Sequence, residues 1–294
     1  MDLAGFLKDV KMGEPFFLRN VLFVPLKGPS WVDDDFIVLD EGVERGWVRI
    51  RETGDIGSSF IENQGPGPLF LMDGEELYGA RQNRILNTSM VIERERKVKV
   101  PVSCVEQGRW SGGGSFSSGR ICAHPGLRAI TASSVHRSLR TKGKFESNQS
   151  GIWKEIDRKS RTFRVISRTS SMHEIMEKTM GEDLFRVEYE PGEDEIGIMG
   201  YAGKRPLAID IFGSHSLYRK LAPKILSSYL FDGMEFGGEE PEVDGFFSRL
   251  LEIKDWERFR GVDVGEEWRY TGKKQVAKAL VVNEKPVHVA FFAM

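Results

Sequence analysis

Cysteine is nearly absent from this 294-residue chain, which has only Cys104 and Cys122. Two thiols cannot build the disulfide framework of a small secreted domain, and free cysteines suit a reducing cytoplasm. No apolar run approaches the ~18 residues that a membrane helix needs. The segment Met1 to Val10 carries acids and lacks the basic and apolar regions of a secretory signal. A cytoplasmic location is therefore expected, with no membrane partner. Excess charge of either sign is also missing, since 42 Lys+Arg stand against 44 Asp+Glu and leave a formal net charge of −2. A general nucleic-acid binder would be strongly basic, so no nucleic-acid partner is expected. The five histidines, at 124, 136, 173, 215 and 288, stand at no metal-ligand spacing from one another or from the cysteines. Familiar phosphate loops are missing too. Ser111 to Gly119 is rich in glycine and serine, but no Gly-Lys-Ser/Thr and no helix start follow it. Cys104 and Arg109 stand one position too close for the cysteine-phosphatase loop.

What is present is enough chain for one large domain or two small ones. Leu3, Phe6, Leu7 and Val10 have helical spacing. Phe16–Leu26, Phe36–Leu39, Trp47–Arg51 and Ser58–Glu62 read as strands, broken by Lys27-Gly28-Pro29 and by Gly65-Pro66-Gly67-Pro68, with one helical turn over Asp40–Arg45. Asp33-Asp34-Asp35 reads as a solvated turn. Residues 1–125 thus form a β-rich part, mainly antiparallel and sandwich- or barrel-like. From the turn at His124-Pro125-Gly126 the composition changes. Helices are expected over Ile130–Leu139, from Ser147 or Asn148 to Phe163, and after a cap at Thr169 or Ser170, with a core stripe of Met172, Ile175, Met176 and Met180. Two segments share one design: Tyr201–Phe212 and Val281–Phe292 each read strand, tight turn, Lys/Arg-Pro, strand. Between them come a helix capped by Ser214, a surface connection at Gly237–Pro241 and a helix from Phe246 to Ile253; a terminal β meander begins at Gly265. The fold class is α+β, with residues 126–294 as helices packed on antiparallel hairpins, joined to the first part in one compact unit.

The densest chemistry lies in Leu69–Trp110. Asp73-Gly74 reads as a tight hairpin turn. Glu75 and Glu76 leave it on opposite strand faces, so at most one faces a given cleft. Gly79-Ala80 would let a backbone or a ligand approach closely. Arg81 to Arg84 enter a strand over Ile85–Ile92, either as a recognition edge or as a solvated entrance. Glu93–Lys97 is a solvated turn, and the strand Val98–Val102 runs into Ser103-Cys104. The glycine loop between Arg109 and Arg120 is either an anion cradle built from bare N–H groups or a mobile loop. Cys104 is either a nucleophile paired with His124 or a buried thiol. Gln149 sits in the first turn of its helix, where free N–H groups can meet an anion. Asp210 is an acid in an apolar strand whose counterpart in the second hairpin is Ala290, so it requires a partner.

Three motifs together resemble one family. Asp73-Gly-Glu-Glu-Leu-x-Gly-Ala-x-Gln-Asn-Arg84, Leu86-Asn-Thr-Ser89 and Pro101-Val-Ser-Cys-Val-Glu-Gln-Gly-Arg-Trp110 look like the ARG- and rhodanese-phosphatase-superfamily-associated protein domain. Ser147-x-Gln149 with Trp153, and Asp210-x-Phe212, extend the likeness over about Asn20 to Gly233. The resemblance implies an association with ADP-ribosylglycohydrolases and phosphatase-like proteins, and so with NAD or ADP-ribose metabolism. It assigns no chemistry to any residue.

Three readings follow. In the first, the chain is an enzyme acting on a nucleotide or ADP-ribose-like molecule. Glu75, Glu76 or Glu106 would be the general acid or base and Cys104 a nucleophile. Gln82, Asn83, Arg84, Arg109, Arg120 and Gln149 would bind the ligand, and Asp73 and Asp210 would hold a divalent metal. In the second, the same residues serve a non-catalytic ligand-binding or interaction module beside NAD or ADP-ribose enzymes. In the third, Gln82, Asn83, Arg84, Glu106 and Arg109 form a buried polar network. The deciding observation is whether the glutamates, Arg109 and Gln149 line one open cleft.

Overall fold

The computed structural model describes residues 3–32, 35–236, 243 and 245–294. Asp33, Asp34 and Gly237–Pro241, read above as turn and connection, lie outside them. Helix α1 (Leu3–Asp9) buries Leu3, Phe6 and Leu7 as its spacing requires. The strands β1 (Lys11–Met12), β2 (Phe16–Leu18) and β3 (Val21–Lys27) follow. The single strand expected over Phe16–Leu26 is a hairpin, because Arg19 takes a left-handed φ of 55° and turns β2 back on β3. Next come β4 (Ile37–Val38), α2 (Leu39–Glu44), β5 (Val48–Glu52), β6 (Ser58–Asn63), β7 (Leu69–Leu71) and β8 (Glu75–Gly79). Then β9 (Arg84–Leu86), β10 (Met90–Ile92), β11 (Arg96–Cys104) and β12 (Ser115–Cys122) complete the β-rich stretch.

Six of these strands close a barrel in the order β11-β6-β5-β12-β8-β9. Its inward positions are apolar, among them Ile50, Ile61, Leu77, Leu86, Val100 and Phe116. A small sheet, β10-β7-β4, stands beside it. Leu69, Leu71, Met90 and Ile92 of this sheet face the barrel core, while Phe70 and Val91 join the second core. Period-two alternation here separates two apolar interiors rather than core from water.

This arrangement corrects three sequence expectations. Asp73-Gly74 is no hairpin turn: β7 pairs with β10 and β4, whereas β8 pairs with β9 and β12. The turn carries the chain from one sheet to another, with Glu75 N donating to Met72 O at 3.2 Å and Gly74 at φ 81°. Ile85–Ile92 is not one strand, because Asn87, Thr88 and Ser89 break it between the two sheets and are themselves buried. Half of the supposed glycine loop is strand β12, which turns Phe116 into the barrel.

The remaining elements are α3 (Pro125–Lys142), α4 (Gln149–Phe163), α5 (Met172–Met180), β13 (Glu195–Ala202), β14 (Arg205–Phe212), α6 (His215–Gly233) and α7 (Phe246–Leu251). The meander β15 (Glu257–Arg260), β16 (Glu266–Thr271), β17 (Gln275–Val282) and β18 (Lys285–Ala293) ends the chain. His124-Pro125-Gly126 is the start of α3 rather than a separate turn, with Pro125 in the first helical turn, where its missing N–H costs nothing. Ser171, not Thr169 or Ser170, caps α5 by accepting from Glu174 N.

The large sheet runs β1-β3-β13-β14-β18-β17-β16-β15, with β2 also on β3. Strand pairing therefore crosses residue 125. One face carries a core with residues of α6, α3 and α5, and the other a core with residues of α1 and α7. The two like hairpins lie at its centre. Each is shifted at the same place, between Gly200 and Tyr201 and between Leu280 and Val281. Where they meet, Ala208 pairs with Phe292, Asp210 with Ala290 and Phe212 with His288. The repeat is thus an approximate two-fold centred on the Asp210–Ala290 pair.

Candidate functional site

The polar stretch of the barrel is largely buried, with Glu75, Glu76, Gln82, Asn83, Arg84 and Glu106 all inside. Its two glutamates at 75 and 76 each fasten a helix. Glu75, fully buried, pairs with Lys224 of α6 at 2.6 Å and accepts from Met72 N at 2.7 Å. Glu76, on the opposite face as expected, bonds His173 of α5 at 2.6 Å. Burial raises Glu76 from its ordinary value despite His173, while the Glu76 partner raises His173 against its own burial. Gln149 clamps the Cys104 backbone, accepting from its N at 2.9 Å and donating to its O at 2.7 Å, which docks α4. Its place in the first helical turn is therefore structural, with no anion subsite built from its side chain.

Glu106 and Arg109 form the tightest of these knots. Arg109 Nε donates to Glu106 Oε2 at 2.9 Å, Nη1 to Ala80 O at 2.7 Å and Ser111 O at 3.2 Å, and Nη2 to Gly79 O at 3.2 Å and Asn83 Oδ1 at 3.0 Å. A guanidinium has five N–H donors, so none remains for a phosphate. Arg120 is exposed at φ 57°, on the strand and not beside Arg109 in a loop. The pairing of Arg109 and Arg120 around one anion is thereby corrected. The close approach foreseen at Gly79-Ala80 is real, and it is the backbone of Gly112 that comes against the Ala80 carbonyl. Gln82 Nε2 donates to Glu106 O at 2.8 Å, Asn83 N to Glu106 Oε2 at 3.2 Å and Thr169 Oγ1 to Glu106 Oε1 at 2.9 Å. Burial would raise the Glu106 carboxyl, but Arg109, Thr169 Oγ1 and Asn83 N hold it below its ordinary value. Glu106→Gln is therefore expected to lower folding stability by about 1–3 kcal/mol, read from urea unfolding. An unchanged midpoint would sink the network reading.

Cys104 is no nucleophile. Its thiol is buried against Arg84 Nη1 at 3.2 Å, and burial raises its pKa. The histidine once paired with it, His124, instead stands 3.0 Å from Asp232. Both cysteines are free.

Asp73 and Asp210 do meet, but around a cation of the protein's own. Arg128 of α3, fully buried, reaches Asp73 through Nε at 3.0 Å and Asp210 through Nη1 and Nη2 at 2.8 and 2.7 Å. Lys278 lies 2.5 Å from Asp73, and Tyr229 donates to Asp210 at 2.9 Å. Burial would raise both acids, yet the Arg128 charge holds them well below the usual carboxylate range. Every carboxylate oxygen is engaged, so the metal-ligand role is corrected to that of ion-pair partner. Among the described residues no group of three or more His, Cys, Asp or Glu is arranged to hold a metal.

The same core contains a relay that resembles a hydrolase triad: Ser89 Oγ lies 2.8 Å from His288 Nδ1, and His288 Nε2 lies 2.9 Å from Asp210 Oδ1. Access decides against catalysis. All three residues are at most 2% exposed. The His288 ring stacks on Phe212 at 4.6 Å, and Ser89 Oγ also accepts from Asp73 N at 3.0 Å and Lys278 at 3.2 Å. No face of the hydroxyl is left for an acyl group. Burial lowers His288, so the ring is neutral with its proton on Nε2 toward Asp210.

An open cleft lies between α3, α4, the end of α6 and the start of β14, with a volume of about 570 Å³. Glu155, Asp232 and Glu235 form its floor. Lys159, 1% exposed, bridges Asp232 at 2.5 Å and Glu235 at 2.7 Å, and Arg158 reaches Glu155 at 2.8 Å and also binds Glu235. Burial would raise Asp232, but His124 and Lys159 hold it far below the ordinary range. At the rim stand Arg137 and Arg205, both exposed. Arg205 lies 4.8 Å over the Phe236 ring, and neither guanidinium pairs with a carboxylate among the described residues. Apart from His124, none of these residues was singled out from the sequence as a site residue. The legible signal was in α4, where Glu155 and Lys159 fall on the same buried face as Ile152 and Ile156.

A family profile described as "ARG and Rhodanese-Phosphatase-superfamily-associated Protein domain" matches residues 9–292. No curated protein matches the chain. A solved crystal structure of an inactive mutant of the CurK dehydratase aligns over 98% of this chain and 95% of that one, at 9% identity and a TM-score of 0.15. A score that low carries no argument about fold or activity.

Proposed function

Because the chain belongs to the ARG and Rhodanese-Phosphatase-superfamily-associated Protein domain family, we propose that it binds a phosphate-bearing, hydroxyl-rich small molecule of the nucleotide or ADP-ribose class in the α3–α4 cleft. The observation that carries this reading is the two guanidinium groups, Arg137 and Arg205, that pair with no carboxylate among the described residues and stand on the rim of a cleft floored by carboxylates. Guanidinium binds phosphate oxygens in bidentate fashion. Carboxylates accept hydrogen bonds from sugar hydroxyls. The cleft volume of about 570 Å³ lies within the range of small-molecule sites. The family motif acts at one remove. Asp73, Gln149 and Glu75 fasten α3, α4 and α6, the helices that wall the cleft. The role is binding, since the acids of the floor are held in ion pairs rather than poised for proton transfer.

The test is a thermal-shift titration with ADP-ribose, NAD and AMP. A ligand at a hundred-fold excess over Kd stabilises the native state by about 2.7 kcal/mol. The double variant Arg137→Glu/Arg205→Glu changes only exposed side chains, so its own Tm should stay near wild type while the ligand shift disappears. Absence of a shift with all three compounds, or an undiminished shift in the double variant, would overturn the reading.

A further inference from the structure

The cleft does not end at Arg137. A second cavity of about 360 Å³ continues along α3 toward the N-terminus of α4, and it shares Ser134, Arg137 and Asn148 with the first. Its wall carries hydroxyls, including Ser138, Thr141 and Ser147. Ser138 is 8% exposed, and its Oγ is buried with no hydrogen-bond partner. Asn148 uses its side-chain oxygen to cap α4 at Gly151 N, 3.2 Å away, and its amide nitrogen has no protein partner among the described residues. Two donors of the protein, the Arg137 guanidinium and the Asn148 amide, therefore stand where the two cavities join.

We propose that the groove takes a two-part ligand, with one hydroxyl-bearing half in each cavity and an anionic bridge between them on Arg137 and Asn148. This rests on the cleft being a phosphate-ligand site, as argued above, and adds that the ligand is of the diphosphate-bridged class. A single nucleotide or sugar phosphate fills one cavity and leaves the other to water. The bridge position carries the added specificity, because both halves pass over the same guanidinium.

Calorimetric titration of the full chain with ADP-ribose, AMP and ribose 5-phosphate tests this. ADP-ribose should bind at least tenfold tighter than either half. Thr141→Trp, at an exposed position of the second cavity, should fill that cavity without unfolding the helix. It should bring ADP-ribose down to the affinity of a half and leave one of the two halves binding as before. If ADP-ribose binds no tighter than AMP and ribose 5-phosphate, or if Thr141→Trp leaves it unchanged, the two-part ligand is refuted while the cleft remains a phosphate site. If none of the three binds, the cleft reading itself fails, and this inference with it.

Discussion

Arg128→Met should cost about 3–5 kcal/mol of folding stability, the range for removing one partner of a buried ion pair. The loss comes mainly from what is left behind. Asp73 and Asp210 are buried, and without Arg128 they would face each other with Lys278 and a neutral His288 as their near company. Packing adds a smaller part, since the guanidinium also lies 4.8 Å over the Phe292 ring. Chemical denaturation of both proteins measures the difference, and pH separates its two parts. Both acids have folded pKa values below the unfolded value of about 3.9. Such a group contributes stability above its unfolded pKa and loses it as pH falls through the folded one. In the variant the cause of the depression is gone. The gap between the two proteins should therefore narrow as pH falls below about 4. A gap constant from pH 7 to pH 3 would assign the effect to packing alone. His288 adds an earlier decline common to both proteins. Burial depresses it, so it contributes above the unfolded histidine value of about 6.5 and loses that contribution toward acid.

What the sequence revealed and what it hid divide along the distance between partners. The two hairpins were legible because each carries its own turn and alternation. From them it followed that Asp210, beside apolar counterparts, required a cation or another partner. Arg128 could not be named as that cation, because 82 residues separate the two and α3 gives no pattern that points inward to Asp210. Asp73-Gly74 shows the same limit. The dipeptide specifies a turn with positive φ at the glycine, and the turn is there. Which strands flank it in a sheet is decided by non-local pairing, and β7 and β8 went to different sheets. The carboxylates, amides and arginines of residues 73–109 looked like an open site because their composition is polar. Their partners Lys224, His173, Thr169 and Gln149 lie far along the chain, and burial follows from those partners. Conversely, the cleft acids Glu155 and Asp232 stand inside helices read as apolar faces, where a single charge is easily passed over.

Lys159→Met should produce the second large loss, again about 3–5 kcal/mol, with a different signature. The ammonium lies between Asp232 and Glu235 and within 5.4 Å of the Phe163 and Phe231 rings. Methionine keeps the aliphatic contact and removes the charge. Asp232 retains the Gly126 N–H at 2.9 Å and His124, and Glu235 retains Arg158. The variant should therefore fold, with two carboxylates repelling each other in the cleft floor. Changing Asp232 to Asn in the same protein removes the repulsion but keeps an acceptor for Gly126 N. The double variant should regain part of the loss, with a coupling of about 0.5–3 kcal/mol in a double-mutant cycle. Additive losses would show that Lys159 and Asp232 act independently. The two lysine and arginine variants also bear differently on the cleft. Arg128 is sealed away from the cleft and acts on it only through the seat of α3, so folded Arg128→Met protein should lose less affinity for an anionic ligand than Lys159→Met does. Lys159 supplies the positive charge that offsets the floor, so its loss makes the cleft more negative and should weaken the same ligand. Equal weakening in both variants would mean that affinity follows helix placement, and that the charge of the floor does not set it.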